Sequence, residues 1–401
     1  MGPYLEDRHE KLRTQVREFA ESEIAPVARV LDEESRFPWD NVRKMADLGL
    51  FGVNVPEAYG GLGLDYLSYM LVIEELARVD VSHGLTVSAH STLATSPIVN
   101  FGTEEQKRRY VPLLARGRVL GGFGLTEPAA GSDAGATRTT AVREDGGFRI
   151  NGSKIFITHA GVGEIFVVTA VTERERGTRG ISSFIVTKET VDRAEADRVG
   201  VGHAAELEPY TPGVFAGKKE DKMGWRASDT RELILEDARV PFERRLGEEG
   251  EGFINFMKTL DAGRIGIGAL SLGLAQGCLD AVLADSSNGR LTGSQGLQFT
   301  VADMATEIAA ARHLVYHAAW LKQNDHSFGR AASMAKLFAS EMAMRTSIRA
   351  VQALGVQGYT AGGPVERMMR DAKICEIGEG TSEVQRMVIA RSFLRDATPV
   401  A

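Results

Sequence analysis

The spacing of apolar residues changes twice along the chain, and this change of period limits the fold more than any single motif does. Residues 7–117 follow a helical period, residues 121–241 a period of two, and residues beyond 252 a helical period again. This order excludes a doubly wound sheet, in which helices and strands alternate. We therefore predict an α+β chain with an N-terminal helical domain (1–120), a middle antiparallel β domain (121–245) and a C-terminal bundle of four or more helices (246–401).

Capping and turn signals define individual elements within this order. Residues 103–106 have the form of a capping box, which predicts that a helix begins at Thr103. Asp145-Gly146-Gly147 and Asn151-Gly152 separate alternating apolar residues, and such pairs are typical of hairpin turns. Because these turns are short, we expect antiparallel pairing of the strands.

The composition allows a large buried core and argues against several partners. The 401 residues are 43% hydrophobic and 25% charged, and the net charge of -7 comes from acids and bases that are interspersed. This distribution offers no basic surface for nucleic acid. The first residues are polar where a signal peptide would be apolar, and we expect no apolar stretch of membrane-spanning length. With only Cys278 and Cys375, both in apolar helical patterns, the chain is expected to be a soluble, cytoplasmic protein.

The sequence lacks the common metal and nucleotide motifs. Its eight histidines have no ligand spacing, and it contains no G-x-x-x-x-G-K-[ST] loop. No convincing G-x-G-x-x-G follows a strand. We therefore predict no metal site, and any dinucleotide must be held by something other than a Rossmann unit.

Two segments carry the functional signal: Leu-Thr-Glu-Pro-Ala-Ala-Gly-Ser-Asp at 125–133 and Glu-Ile-Gly-Glu-Gly-Thr-Ser-Glu at 376–383. In combination they resemble the acyl-CoA dehydrogenases, and the similarity runs from about residue 12 to residue 394. The short-chain, butyryl-type members are the most similar, notably at residues 217–224. The resemblance implies bound FAD, an acyl-CoA substrate that is dehydrogenated to 2-enoyl-CoA, electron transfer to an electron-transferring flavoprotein, and a homotetramer.

A carboxylate that removes a proton is the central requirement of this chemistry. Removing a proton beside a thioester carbonyl needs a base in a dry pocket and hydrogen-bond donors for the enolate oxygen. The resemblance assigns the base to Glu379, whose neighbours Gly378 and Gly380 let the backbone approach a ligand closely. Some relatives carry the base just before Arg264, where this chain has Gly263, and a glycine cannot act as a base. The competing interpretation of Glu379 is a solvated loop glutamate.

The resemblance also implies which residues contact the flavin and the substrate. The cofactor residues are Phe123, Leu125, Thr126, Phe156, Ile157, Thr158, Gln352, Leu354, Gly355, Thr381 and Glu383. The substrate residues are Ser132, Asp261, Arg264 and Gly380. Pattern alone favours a core position for Phe156 over a cofactor platform. It explains the pair Asp261 and Arg264 equally well as a surface salt bridge.

The chain departs from its relatives at several places. Ala284–Gly296 is several residues shorter than in relatives and lacks their Arg-x-x-Phe-Gly segment, which leads to the hypothesis that Arg290 binds the FAD diphosphate across an oligomer interface. Thr187–Tyr210 is longer than in short-chain relatives and is expected to be a mobile surface loop. Gly378 stands where relatives have tyrosine, which is expected to widen the pocket near the base, and Val356 replaces a glycine.

Two other functions remain open at this level. One is an oxidase on the same scaffold, which gives its electrons to O₂, although the chain is short for an acyl-CoA oxidase. The other is a flavin-poor paralogue that binds acyl thioesters without turnover, an interpretation favoured only by the altered segment Ala284–Gly296.

Overall fold

A computed structural model describes residues 4–202, 204–285 and 291–397. Helices fill the chain up to Ala115, strands dominate from Gly121 to Leu246, and helices return at Gly252, so the predicted order is confirmed. The predicted capping box is confirmed as well, because Gln106 N donates to Thr103 Oγ1 and Thr103 N donates to Gln106 Oε1. The N-terminal helices are α1 (Asp7–Phe19), α2 (Ala25–Glu33), α3 (Trp39–Asp47), α4 (Tyr66–Val79), α5 (Val81–Ser88), α6 (Ser96–Phe101) and α7 (Glu104–Ala115).

The middle part of the chain forms one twisted sheet. Its strands are β1 (Gly121–Gly124), β2 (Thr140–Glu144), β3 (Gly147–Thr158), β4 (Ile165–Val171), β5 (Ile181–Thr187), β6 (Val214–Lys219), β7 (Thr230–Pro241) and β8 (Arg245–Leu246). They run in the order β6-β7-β3-β2-β4-β5-β8, and β1 lies beside β4. Most neighbours are antiparallel, as expected, but β1 and β2 each pair with β4 in parallel. The β2–β3 hairpin intervenes between β1 and β4, so no tight turn joins them and a parallel crossover is possible.

One of the two predicted hairpin turns is confirmed and the other is wrong. Glu144 pairs with Gly147, so Asp145-Gly146 is the turn between β2 and β3. Asn151-Gly152 instead lies inside β3, where the register with β7 shifts between Ile150 and Gly152. The Asn151 side chain accepts a hydrogen bond from β7, where Asp237 N donates to Asn151 Oδ1 at 2.8 Å. A β-bulge uses the same residue types as a turn, which explains the error.

The segment Thr187–Tyr210 is not a plain surface loop. It contains a short helix, α8 (Arg193–Val199), and three of its apolar residues, Val201, Ala204 and Leu207, are buried. The prediction of a mobile loop rested on its polar composition, but the polar residues Thr187, Lys188 and Thr190 are buried in the protein as well.

The C-terminal helices pack around one long helix. They are α9 (Gly252–Ala284), α10 (Gln295–Gln323), α11 (Gly329–Leu354), α12 (Val356–Tyr359), α13 (Pro364–Cys375) and α14 (Ser382–Ala397). Helix α9 packs along both α4 and α11. Its backbone nearly touches α4, because a side-chain Cβ on Gly273 would lie 2.2 Å from Glu74 O and one on Gly277 2.1 Å from Arg78 O. Only glycine allows such an approach.

Helix α9 corrects the expectation that no apolar stretch reaches membrane-spanning length. It has 33 residues and an apolar window with a mean hydropathy of 1.6, which is enough to cross a membrane by length and composition. However, 72% of that window is buried inside the protein. The helix is apolar on nearly all sides because other helices surround it, which is how a core helix of a large domain satisfies the same criterion.

Arg290 lies outside the described residues, as do its neighbours at 286–289. Its proposed contact with the FAD diphosphate therefore stays a hypothesis. The described flanks of the altered segment are the end of α9 and a turn that begins at Leu291, whose side chain is buried.

A buried ion pair ties the loop after β1 to the sheet. Lys154 on β3 has no exposed surface, and its Nζ lies 2.6 Å from Glu127 Oε1 and 3.2 Å from Leu125 O. Glu127 also accepts from the hydroxyls of Thr137 and Thr139. Burial alone would raise the pKa of Glu127, but the Lys154 charge and these hydroxyls hold it at about 2. Burial lowers the pKa of Lys154 to about 8, so both partners are ionised at neutral pH.

Replacing Lys154 with methionine should destabilise the protein by about 3 to 5 kcal/mol, because Glu127 would be left as an uncompensated buried charge. The readout is the thermal unfolding midpoint of the protein at pH 7. Lys218→Met, at an exposed position on β6, serves as the matched control. Adding Glu127→Gln to Lys154→Met removes the stranded charge and should recover part of the loss. Equal midpoints for the Lys154 and Lys218 variants would contradict a stabilising pair.

Candidate active site

The loop after β1 presents the first group of predicted cofactor residues. Thr126 and Leu125 are half-buried, and Ser132 is exposed further along the loop. The backbone of this loop reaches β3, because Ile155 N donates to Thr126 O at 2.8 Å. The ion pair of Glu127 and Lys154 connects the same loop to β3. The structure therefore brings Leu125 and Thr126 beside the end of β3.

The end of β3 turns an aromatic side chain outward. The register with β7 shifts between Lys154 and Ile157, and Phe156 within this bulge has φ = 57° and a side chain that is 60% exposed. A non-glycine residue in the left-handed region is uncommon, and a bulge re-aims side chains. Phe156 is therefore not the core residue that the pattern allowed. Thr158 is half-buried close by, whereas Ile157 faces the sheet core.

Phe123 occupies a different environment from the other predicted flavin residues. Its ring stacks on Phe256 of α9, with centroids 3.8 Å apart and planes 19° apart. Both rings belong to the apolar cluster between the sheet and the N-terminal helices. The side chain of Phe123 thus joins β1 to α9, and the sequence resemblance did not indicate this packing role.

Glu379 lies in the turn between α13 and α14 with an unusual backbone. Its φ is 53° and that of Gly380 is 97°, so two successive residues are left-handed. The residue keeps part of its surface open, but Oε2 is buried and has no hydrogen-bond partner within the described part of the chain. Burial raises the pKa of this carboxyl to about 7, although the cations of Lys336 and Arg264 lower it in part. The interpretation as a solvated loop glutamate is therefore wrong.

The carboxyl of Glu379 reaches into a gap on α9. A Cβ built on Gly263 would lie 2.2 Å from Glu379 Oε2 and 3.5 Å from Leu93 Cδ2. Leu93 comes from a π-helical turn, Ala89–Thr95, a type of irregularity that is frequent at functional sites. The position where some relatives carry their base is thus adjacent to Glu379, and its missing side chain leaves the space that the Glu379 carboxyl fills.

Asp261 and Arg264 do not form a surface salt bridge. Arg264 is 6% exposed, and its Nη1 contacts Asp261 Oδ1 and Ser333 Oγ. Its Nε is buried and has no partner within the described part of the chain. Burial lowers the pKa of Arg264, and the Glu379 charge opposes this shift. The guanidinium therefore lies in the electrostatic environment of Glu379.

The remaining predicted residues lie at two further places. Gln352 and Gly355 are exposed at the end of α11, and Leu354 is buried in the helical core. Next to them Val356 and Tyr359 are 78% and 81% exposed. Thr381 directly precedes α14 and Glu383 lies in its first turn, where Thr381 Oγ1 accepts from Val384 N at 3.3 Å.

Sequence reasoning missed several side chains around Glu379. Lys336 on α11 and Gln385 on α14 both donate to Gly380 O, at 2.5 Å and 2.9 Å. Tyr66 and Tyr69 of α4 are buried, and Glu379 is among the charges that raise the pKa of both phenols. A lysine within the otherwise small and apolar run Ala335 to Phe338 was the one available signal.

The residues at the end of β3 suit a flavin. A largely exposed aromatic ring on a strained backbone needs a partner surface, and the ring of an isoalloxazine offers one. The half-buried Thr126 and Thr158 supply hydroxyls beside it. The buried, unpaired oxygen of Glu379 likewise calls for a ligand group.

Comparison with known proteins gives three consecutive family matches: the acyl-CoA dehydrogenase N-terminal domain at residues 6–118, the middle domain at 122–238 and the C-terminal domain at 250–394. The chain is 46% identical to a short-chain specific acyl-CoA dehydrogenase of Clostridium acetobutylicum, over 98% of this chain and 99% of that protein.

Solved structures agree with these matches. Butyryl-CoA dehydrogenase from Megasphaera elsdenii superposes with a TM-score of 0.90 at 41% identity, covering 98% of this chain and 99% of that one. A chain from a study of the electron transferring flavoprotein of Acidaminococcus fermentans superposes with a TM-score of 0.92 at 46% identity, covering 99% and 100%. With the three domain matches in sequence and a full-length relative at 46% identity, this chain belongs to the acyl-CoA dehydrogenase family and is an FAD-dependent enzyme.

Proposed function

We propose that Glu379 is the base that removes the α-proton of a short-chain acyl-CoA during its oxidation to 2-enoyl-CoA. The observation that carries this proposal is the buried and unpaired Oε2 of Glu379, held against Gly263. Bound FAD supplies the hydride acceptor for the β-carbon. The short-chain preference is supported by the similarity to the Clostridium acetobutylicum and Megasphaera elsdenii enzymes.

The environment of Glu379 suits proton abstraction near neutral pH. A general base works best when its pKa lies near the working pH, and burial brings that of Glu379 to about 7. Tyr66 and Tyr69 are buried, and the half-buried Leu93 lies beside the gap that the Glu379 carboxyl fills, so the surroundings of the carboxyl are largely shielded from solvent. The backbone N–H of Glu379 is the donor that the family resemblance assigns to the thioester oxygen, where negative charge develops. Arg264 adds a positive charge to the same pocket.

On the flavin side, Phe156 would lie against the ring system, and Thr126 and Thr158 would bond to its polar edge. Phe123, Leu125 and Ile157 would complete the set of residues that contact the flavin. Thr381 and Glu383 would contact the cofactor beside Glu379, and Gln352, Leu354 and Gly355 would contact the FAD of a neighbouring subunit. Ser132, Asp261 and Gly380 would contact the acyl-CoA.

We also propose a homotetramer, an electron-transferring flavoprotein as the electron acceptor, and a cytoplasmic location. The similarity to the Acidaminococcus fermentans chain supports the acceptor. The exposure of Val356 and Tyr359 at the end of α11 supports an interface there, because large apolar side chains this exposed are typical of contact surfaces.

Glu379→Gln should abolish turnover and leave the fold and the flavin spectrum unchanged, because the amide is of the same size but cannot accept the proton. Loss of a general base costs on the order of 10² to 10⁴ in rate. Under anaerobic conditions butyryl-CoA should bleach the flavin of the native enzyme rapidly and that of the variant only at this reduced rate. Activity within a few-fold of native would refute the assignment.

The same bleaching experiment tests the electron acceptor. After air is admitted, slow reoxidation of the bleached flavin and rapid reoxidation by an electron-transferring flavoprotein are expected. Rapid reoxidation by O₂ alone would favour the oxidase, and a colourless preparation would favour the flavin-poor paralogue.

The native enzyme should lose activity as the pH falls through about 7, because protonated Glu379 cannot act as a base. The measurement is the pH dependence of kcat/KM for butyryl-CoA, which reports the ionisation of the free enzyme. An acidic limb near pH 4.5, the ordinary value for a glutamate, would contradict the buried environment of the carboxyl.

Gly263→Ala should reduce kcat/KM while the protein remains stable. The new methyl group would lie 2.2 Å from Glu379 Oε2, and this flexible side chain can only respond by moving its carboxyl. Misplacing a reacting group by about 1 Å costs on the order of 10²-fold. Gly266→Ala, almost one turn further along α9, meets Ser88 Oγ at 2.7 Å and serves as the matched control. If both variants kept native activity, Glu379 would not need the gap at Gly263.

A further inference from the structure

Lys336 is a fully buried cation that the reaction described above does not use. It lies on α11 with no exposed surface, and its Nζ donates to Gly380 O at 2.5 Å. Burying an ammonium group is costly unless it is hydrogen-bonded and faces opposite charge. Its hydrogen bond goes to the carbonyl of Gly380 in the Glu379 turn. The unfavourable burial of this ammonium group is therefore offset, at least in part, by holding this one position of the loop.

The Gly380 carbonyl is held from two sides. Gln385 Nε2 donates to the same oxygen at 2.9 Å, and this side chain is also fully buried. The residue before this carbonyl, Glu379, has the left-handed φ of 53°. A left-handed backbone at a non-glycine residue costs about 1 to 3 kcal/mol and persists only where its surroundings enforce it. The two donors supply that enforcement next to Glu379.

We propose that Lys336 is a positioning residue for the catalytic base: its ammonium group fixes the Glu379–Gly380 backbone so that the Glu379 carboxyl points at Gly263, and its charge favours the ionised carboxylate. This inference rests on the proposed role of Glu379. Gln385 shares the first task, because it binds the same carbonyl, but it has no charge and cannot share the second.

The groups around Glu379 set the direction of the charge effect. Burial raises the pKa of Glu379, and Lys336 is the larger of the two cationic influences that lower it, ahead of Arg264. Burial lowers the pKa of Lys336 itself to about 8, so it is still charged at pH 7. The other titratable groups that face this pair are Asp261 on α9, Tyr66 and Tyr69 on α4, Cys375 on α13, Glu376 before the turn and Glu383 after it.

The test compares Lys336→Met with Gln385→Met in the FAD-loaded enzyme. Both variants remove one hydrogen bond to Gly380 O and keep an unbranched side chain, but only the first removes a charge. Both should lower kcat. In Lys336→Met the acidic limb of kcat/KM for butyryl-CoA should move to higher pH by about 1 unit or more, the shift usual when a close opposite charge is lost. In Gln385→Met the limb should stay at the native position.

An unmoved limb in Lys336→Met, with flavin content and secondary structure at native level, would overturn the proposal, as would equal shifts in both variants. If Lys336→Met yields no folded flavoprotein, Lys336→Gln replaces it, since glutamine keeps a donor without the charge. Lys336→Arg should restore the native limb. If Glu379→Gln is inactive and the acidic limb of the kcat/KM profile does not move in Lys336→Met, the proposed role of Lys336 fails and the assignment of Glu379 stands. If Glu379→Gln is active, the base assignment itself fails.

Discussion

Helix α9 is the element on which the rest of the molecule depends, because all three parts of the chain pack against it. Its glycines Gly273 and Gly277 let its backbone nearly touch α4 of the N-terminal part. Its Phe256 stacks on Phe123 of the sheet, and α11 packs along its length. The same helix carries Gly263 and Arg264. The position of the Glu379 carboxyl is therefore fixed by the packing that holds the three parts together.

Two buried lysines hold the two loops of the candidate site. Lys154 bonds to the carbonyl of Leu125 and to Glu127 in the loop after β1. Lys336 bonds to the carbonyl of Gly380 in the turn between α13 and α14. In both cases the charged group replaces the regular backbone hydrogen bonds that an irregular loop lacks. A loop held in this way can present strained residues, as Phe156 beside one lysine and Glu379 beside the other illustrate.

The order of helices and strands could be predicted because apolar periodicity is a local property, and the capping box at Thr103 and the Asp145-Gly146 turn are local as well. Asn151-Gly152 was misassigned because bulges and turns favour the same residues. The family motifs nominated Glu379, but its contact with Gly263 joins residues that are distant in the sequence. The apolar run around Lys336 was a signal for a buried lysine, but its partner, the Gly380 carbonyl, could not be identified, because that contact joins residues that are distant in the sequence.

The burial of Glu379 makes the proton a stabilising ligand of the fold. In an unfolded chain this carboxyl ionises near pH 4.5, whereas in the folded protein it does so near pH 7. Between these values the folded state keeps a proton on Glu379 that the unfolded state has lost, so the contribution of this group to stability falls as the pH rises and remains lower above 7. The difference corresponds to roughly 3 to 4 kcal/mol. The ionised form of Glu379 that is ready for catalysis thus contributes less to the stability of the fold than its protonated form does.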